Sequence, residues 1–131
     1  GKAQCGKGGC ILDDNPEDRI PISSKLINFS VDRAFMLKAR GDSMSPIIVE
    51  GDTVIAQRKQ EFLNDDVVVC SVNGGEVMIK QFVKEADYIL LKSFNHQKHP
   101  TIFISKKDEP PMLIGKVEQI IRNRIVLPKI H

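Results

Sequence analysis

A lysine spaced between apolar side chains along a strand is an awkward place for a charge, and the segment Glu76-Val77-Met78-Ile79-Lys80-Gln81-Phe82-Val83 contains one. Side chains alternate faces along a strand, so Met78, Lys80 and Phe82 share one face. Burial there disfavours the ammonium and lowers the lysine pKa. A lysine kept neutral near pH 7 can act as a general base. The same residue also fits an ordinary lysine at a sheet edge, snorkelling to water. A second candidate lies upstream, in Ala39-Arg40-Gly41-Asp42-Ser43-Met44-Ser45-Pro46. Here a strand ends at Gly41 and Ser43 follows in a tight turn. Such a turn can leave amide N–H groups free to hold an oxyanion, although Gly, Asp, Ser and Pro are equally at home in a plain surface turn. Together the two segments supply a nucleophile and a base, the ingredients of covalent acyl transfer.

The elements that must position them read as all-β. From Ile20 onward short apolar runs alternate with turn signals. Strands are expected over 34–39, 53–56, 67–72, 76–83, 88–91, 101–104 and 112–121. Val67 to Val72 is a continuous apolar run, fit for a strand buried on both faces. Asn73-Gly74-Gly75 is a strong hairpin turn, because Asn and Gly tolerate positive φ. No stretch carries a long helical period. Residues 1–19 are rich in Gly, Asp, Asn and Lys and read as a flexible arm, leaving 20–131 as one folded domain.

The combination is more informative than its parts. Gly41-Asp42-Ser43-Met44, then Glu50-Gly51-Asp52, then a hairpin ending in an apolar strand with one lysine resembles the LexA family of self-cleaving serine–lysine peptidases. That family includes phage repressors and the UmuD mutagenesis proteins. Phe35 to Arg40 resembles its lead-in strand, Ser93-Phe94-Asn95 with His99-Pro100-Thr101-Ile102 its Asn-to-Pro segment, and Ile114-Gly115-Lys116-Val117 its closing strand. The resemblance covers about residues 20 to 125, with position 80 lying 37 residues after position 43, a separation similar to the family's. It implies a compact twisted-sheet fold, Ser43 as nucleophile, Lys80 as general base, and the backbone N–H groups of Ser43 and Met44 as oxyanion hole. Ser45 is the rival nucleophile, but the family motif puts the nucleophile before the methionine.

The resemblance also implies a substrate. Family members cut their own chain at Ala-Gly or Cys-Gly, N-terminal to the serine. Cys5-Gly6 is the sole Cys-Gly bond here, no Ala-Gly occurs, and Cys5 precedes Ser43 by 38 residues. The residues before it, Ala3 and Gln4, depart from the small apolar pair often found there. The implied setting is a cytoplasmic transcriptional repressor inactivated in an SOS-type stress response. Its implied partners are a second copy of itself, a RecA–single-stranded DNA filament as co-activator, and operator DNA bound through an upstream domain. Met112 to Ile121 and Ile125-Val126-Leu127 are the candidate dimer interface.

Two other readings remain open at this level. Ser43-Met44-Ser45-Pro46 and Met78-Ile79-Lys80 also resemble the serine box and lysine strand of type I signal peptidases. A catalytically silent dimerisation or sensing module would keep the fold and lose the reaction. Composition narrows the field further. With 19 basic against 17 acidic residues, the net charge of +2 is too small for a nucleic-acid surface within this chain. No apolar run approaches the roughly 20 residues of a membrane span, nor does the N-terminus resemble a signal peptide, so a soluble, intracellular chain is expected. Cys5, Cys10 and Cys70 are an odd set, which fits free thiols in a reducing compartment. Cys5 and Cys10 lack two further ligands at a usable zinc spacing, and neither metal nor cofactor is expected. The three histidines fit no Ser-His-Asp arrangement.

Overall fold

A computed structural model describes residues 3–6, 9–12 and 27–129. Apart from a three-residue 3-10 turn at Val31–Arg33, the regular structure of these residues is β throughout. Ala34–Lys38 (β3), Thr53–Arg58 (β4), Val67–Ser71 (β5), Met78–Lys84 (β6), Tyr88–Lys92 (β7), Ile102–Ser105 (β8), Met112–Arg122 (β9) and Ile125–Val126 (β10) form one antiparallel sheet. Its order is β3-β4-β9-β5-β6-β7-β8, with β10 paired to β9. The all-β expectation is met, and the seven expected strands are all present with ends displaced by at most two residues. No helix among the described residues is long and apolar enough to cross a membrane.

Three strands were not anticipated. Within the segment read as an arm, Ala3–Gly6 (β1) pairs antiparallel with Gly9–Leu12 (β2), with Cys5 opposite Cys10 and Gly6 opposite Gly9. This hairpin runs alongside β3. The expected boundary at residue 19 falls outside the described residues. The other addition, β10, follows a turn in which Asn123 and Arg124 both have positive φ, 52° and 64°. Arginine rarely adopts that conformation, so Asn123-Arg124 carries little turn signal. By contrast Asn73 and Gly74, with φ of 52° and 70° and Gly75 N–H donating to Val72 O, make the hairpin turn their residue types announce.

The middle of the sheet is covered on both faces. Every residue of β5 is buried, and alternation sends Val67 and Val69 into one cluster with Leu37, Val54, Met44 and Ile48. Val68 and Cys70 enter the other, with Phe82, Leu91 and Ile104. Full burial of each such aliphatic side chain contributes about 2 kcal/mol, set against conformational entropy.

The topology leaves a distance to be closed. From β3 to β6 there are four strand-to-strand steps, about 19 Å in a flat sheet at ~4.8 Å per step. β9 supplies the curvature. Its pairing slips once against β5, between Val69 and Cys70, and once against β4, between Ile55 and Ala56. Each slip leaves one extra β9 residue, Ile114 and Glu118, and such bulges bend a strand and increase its twist. Between them sits Gly115, where a Cβ would stand 2.6 Å from both Gln57 O and the Phe35 ring. Only a hydrogen lets β9 lie that close to β4.

Candidate active site

After β3, which ends at Lys38, the chain leaves the sheet and returns to it only at Thr53. Two backbone bonds close the base of this excursion: Ala39 N–H donates to Asp52 O at 2.8 Å, and Gly51 N–H to Ala39 O at 3.0 Å. Met44 and Ile48 point into the core and anchor it. Gly41 has φ +71°, a conformation costly for other residues, and donates its N–H across the excursion to Glu50 Oε1 at 3.2 Å. Asp52 is 1% exposed and is held on three sides. Arg122 of β9 donates through Nε to Oδ1 and through Nη2 to Oδ2, both at 2.8 Å, and Val49 N–H donates to Oδ2 at 2.9 Å. Burial alone would raise the Asp52 pKa, but Arg122 and the Val49 N–H outweigh it and hold the carboxyl below its usual value. The Glu50-Gly51-Asp52 motif is thus the belt that ties the serine turn to the sheet.

A second tie comes from the loop after β7. Asn95 N–H donates to Ser43 O at 3.0 Å, and Asn95 Nδ2 to Asp42 O at 3.1 Å. Lys98 Nζ donates to Asp42 Oδ2 at 3.0 Å, and His99 Nε2 lies 2.6 Å from Asp42 Oδ1. These His99 and Lys98 bonds hold the Asp42 carboxyl below its usual range. Asp42 therefore faces the Asn95 loop as a turn-fixing residue. With both carbonyls pinned, no hydrogen bond among the described residues uses the N–H of Ser43 or Met44. Two N–H groups at one turn are what an oxyanion requires.

Ser43 and Lys80 line the same cleft, of about 600 Å³. Its apolar walls include Leu37 and Ala39 from the β3 side, Val77 and Ile79 from the β6 side, and Ile114 from β9. Ser45 is not among its lining residues. Lys80 is 7% exposed, opposite Val68 on β5 and diagonal to Cys70. Burial pushes its pKa below the ordinary lysine value, opposed only by Cys70, whose thiol burial pushes up to about 12. Nζ reaches one hydroxyl: it donates to Ser93 Oγ at 2.8 Å. Ser93 was named from the sequence only within the Asn-to-Pro segment, with no role at Lys80, and Arg122 was not singled out. Their partners lie 13 and 70 positions away, and register alone brings them together.

The candidate scissile residues Cys5 and Gly6 fall in β1, whose hairpin flanks the strand leading into Ser43. Of the candidate dimer residues, Val117, Ile120 and Ile121 are buried in the core of this chain. Met112, Ile125 and Val126 are exposed.

The sequence profile described as Peptidase S24-like matches residues 1–118, and the chain belongs to that family. It is 39% identical over 90 residues to the LexA repressor of Geobacillus sp. (strain WCH70), covering 68% of this chain and 43% of that one. It is 33% identical over 115 residues to the LexA repressor of Leuconostoc mesenteroides, covering 87% and 51%. With the LexA repressor of Geobacter sp. (strain M21) it shares 38% over 103 residues, covering 72% and 50%. The chain spans about half the length of the curated relatives it matches.

Proposed function

We propose that this chain is the C-terminal autopeptidase domain of a LexA-like transcriptional repressor, which cuts its own Cys5–Gly6 bond to inactivate the repressor in an SOS-type stress response. The observation that carries the reading is Ser43 on the same cleft as a buried Lys80, whose pKa burial lowers. Lys80 takes the Ser43 proton, Ser43 Oγ attacks the Cys5 carbonyl, and the Ser43 and Met44 N–H groups receive the negative oxygen. The proton then passes to the departing Gly6 amine, and water hydrolyses the acyl-enzyme. The substrate is tethered, so the step is unimolecular. A RecA–single-stranded DNA filament accelerates the cut by favouring the conformer in which the Cys5–Gly6 bond reaches Ser43. The setting is cytoplasmic, and operator DNA is contacted through an upstream domain.

Two results follow. Mass spectrometry after alkaline incubation is expected to find a new N-terminus at Gly6, with a first-order rate unchanged by tenfold dilution. A cut elsewhere refutes the site, and a rate proportional to concentration refutes the tether. The domain is also expected to dimerise through the exposed Met112, Ile125 and Val126, since the remaining apolar residues of β9 are spent on the core. Sedimentation at micromolar concentration checks this; a monomer at every concentration refutes it.

A further inference from the structure

We propose that Ser93 is a positioning residue for the self-cleavage reaction: its hydroxyl holds Lys80 Nζ from the neighbouring strand and sets the direction in which the amine presents its lone pair to Ser43. The inference rests on the Ser43–Lys80 reading above and deepens it.

The register of β6 and β7 carries the argument. Phe82 pairs with Leu91 and Gln81 with Lys92, so one step further Lys80 stands opposite Ser93. Both side chains are buried, Ser93 to 4% exposure, and Nζ lies 2.8 Å from Oγ. The other groups facing Lys80 are apolar or inert. On its own strand they are Met78 and Phe82, on β5 Val68 and Cys70, and on β7 Leu91. Cys70 is the sole ionisable group among the described residues whose charge acts on Lys80, and its thiol, pushed up to about 12, stays neutral at working pH. Nothing else there can orient the amine.

A hydroxyl suits this task for a chemical reason. A neutral amine has two N–H bonds and one lone pair, and the lone pair must aim at Ser43 Oγ to receive its proton. When Ser93 Oγ accepts one N–H, rotation about the last carbon–nitrogen bond is restricted and the lone pair is left two staggered directions in place of three. A carboxylate at position 93 would orient the amine equally well. It would also stabilise the ammonium and leave the base protonated.

The test is the pH–rate profile of self-cleavage in the full chain, measured for the parent, Ser93→Ala, Ser93→Thr and Ser93→Asp. Ser93→Ala is expected to lower the plateau rate about tenfold to a hundredfold, the scale of a misaligned catalytic group. Its midpoint should move to lower pH, because the lost acceptor had favoured the charged form more than the neutral one. Ser93→Asp should move the midpoint to higher pH, and Ser93→Thr should restore the parent profile. A residue that merely fills space would not shift the midpoint in opposite directions. Should Ser93→Ala fail to fold, Ser93→Cys keeps the volume with a weak acceptor and gives the same readout. Parent rate and midpoint in Ser93→Ala, with Lys80→Ala inactive, overturn the role of Ser93 alone. Parent-like cleavage by Lys80→Ala overturns the dyad itself and Ser93 with it.

Discussion

A Ser43→Ala chain held at pH 9 is expected to keep its full mass while the parent is cut, and Lys80→Ala is expected to behave the same way. Loss of either group from a nucleophile–base pair costs at least about a thousandfold in rate, because the two act as a unit. The double variant should therefore be no slower than either single one. In the parent the rate should climb with pH and level off, for the following reason. Lys80 is useful only without its extra proton, and the neutral fraction grows as pH rises through the lysine pKa. Burial holds that pKa below the ordinary value, so the midpoint of the rise should lie below about pH 10.4. Mass measurement against time at several pH values checks both statements. Cleavage of Ser43→Ala at the parent rate would remove the assignment, and transfer of activity loss to Ser45→Ala would move the nucleophile two residues on.

The second large effect concerns stability. Arg122→Met is expected to lower the unfolding free energy by about 3 kcal/mol at pH 7. That is the low end for breaking a buried ion pair, since the guanidinium is itself one-third exposed. The variant leaves the Asp52 carboxylate, 1% exposed, with the Val49 N–H as its remaining partner. Urea unfolding at pH 7 and pH 4 checks the size and the sign. In the parent the folded-state pKa of Asp52 is depressed, so its contribution is complete above the unfolded value near 3.9 and fades as pH falls through the folded one. In Arg122→Met the partner is gone and burial raises the pKa instead. Protonation then relieves the stranded charge, and the gap between variant and parent should narrow toward pH 4. Adding Asp52→Asn to Arg122→Met should recover part of the loss, as a double-mutant cycle would show. Equal stability of Arg122→Met and parent at pH 7 would dismiss the belt described for Glu50-Gly51-Asp52.

Much of this was legible where the signal is local. Alternation put Met78, Lys80 and Phe82 on one face, the unbroken apolar run marked β5 as doubly buried, and Asn73-Gly74 announced its turn. These features depend on a few adjacent residues and on backbone geometry. The remainder depends on register between distant segments. Ser93 is an unremarkable serine until β7 is set against β6 so that Gln81 meets Lys92. Asp52 looks like half of a Gly-Asp turn until Arg122 arrives at the far end of the last long strand. The two bulges of β9 have no residue signature beyond Gly115. β10 was missed because its turn places Arg124 in a conformation that arginine seldom adopts. The β1–β2 hairpin was missed because Gly6, Gly8 and Gly9 read as a tail.

The place of β9 in the sheet has a bearing on how the protein is made. β4 and β5 follow one another in the chain, yet they do not touch as neighbours in the sheet; β9 inserts between them and pairs with both. The half that carries the serine turn and the half that carries Lys80 are therefore joined through β9, which is made after both. Pairings of such long sequence separation form late and slowly. Residues 1–12 emerge well before β9, and no cleft exists until residues beyond 112 have followed and closed the sheet. On the proposed reading, order of synthesis thus keeps the N-terminal hairpin from being cut until β9 has been made.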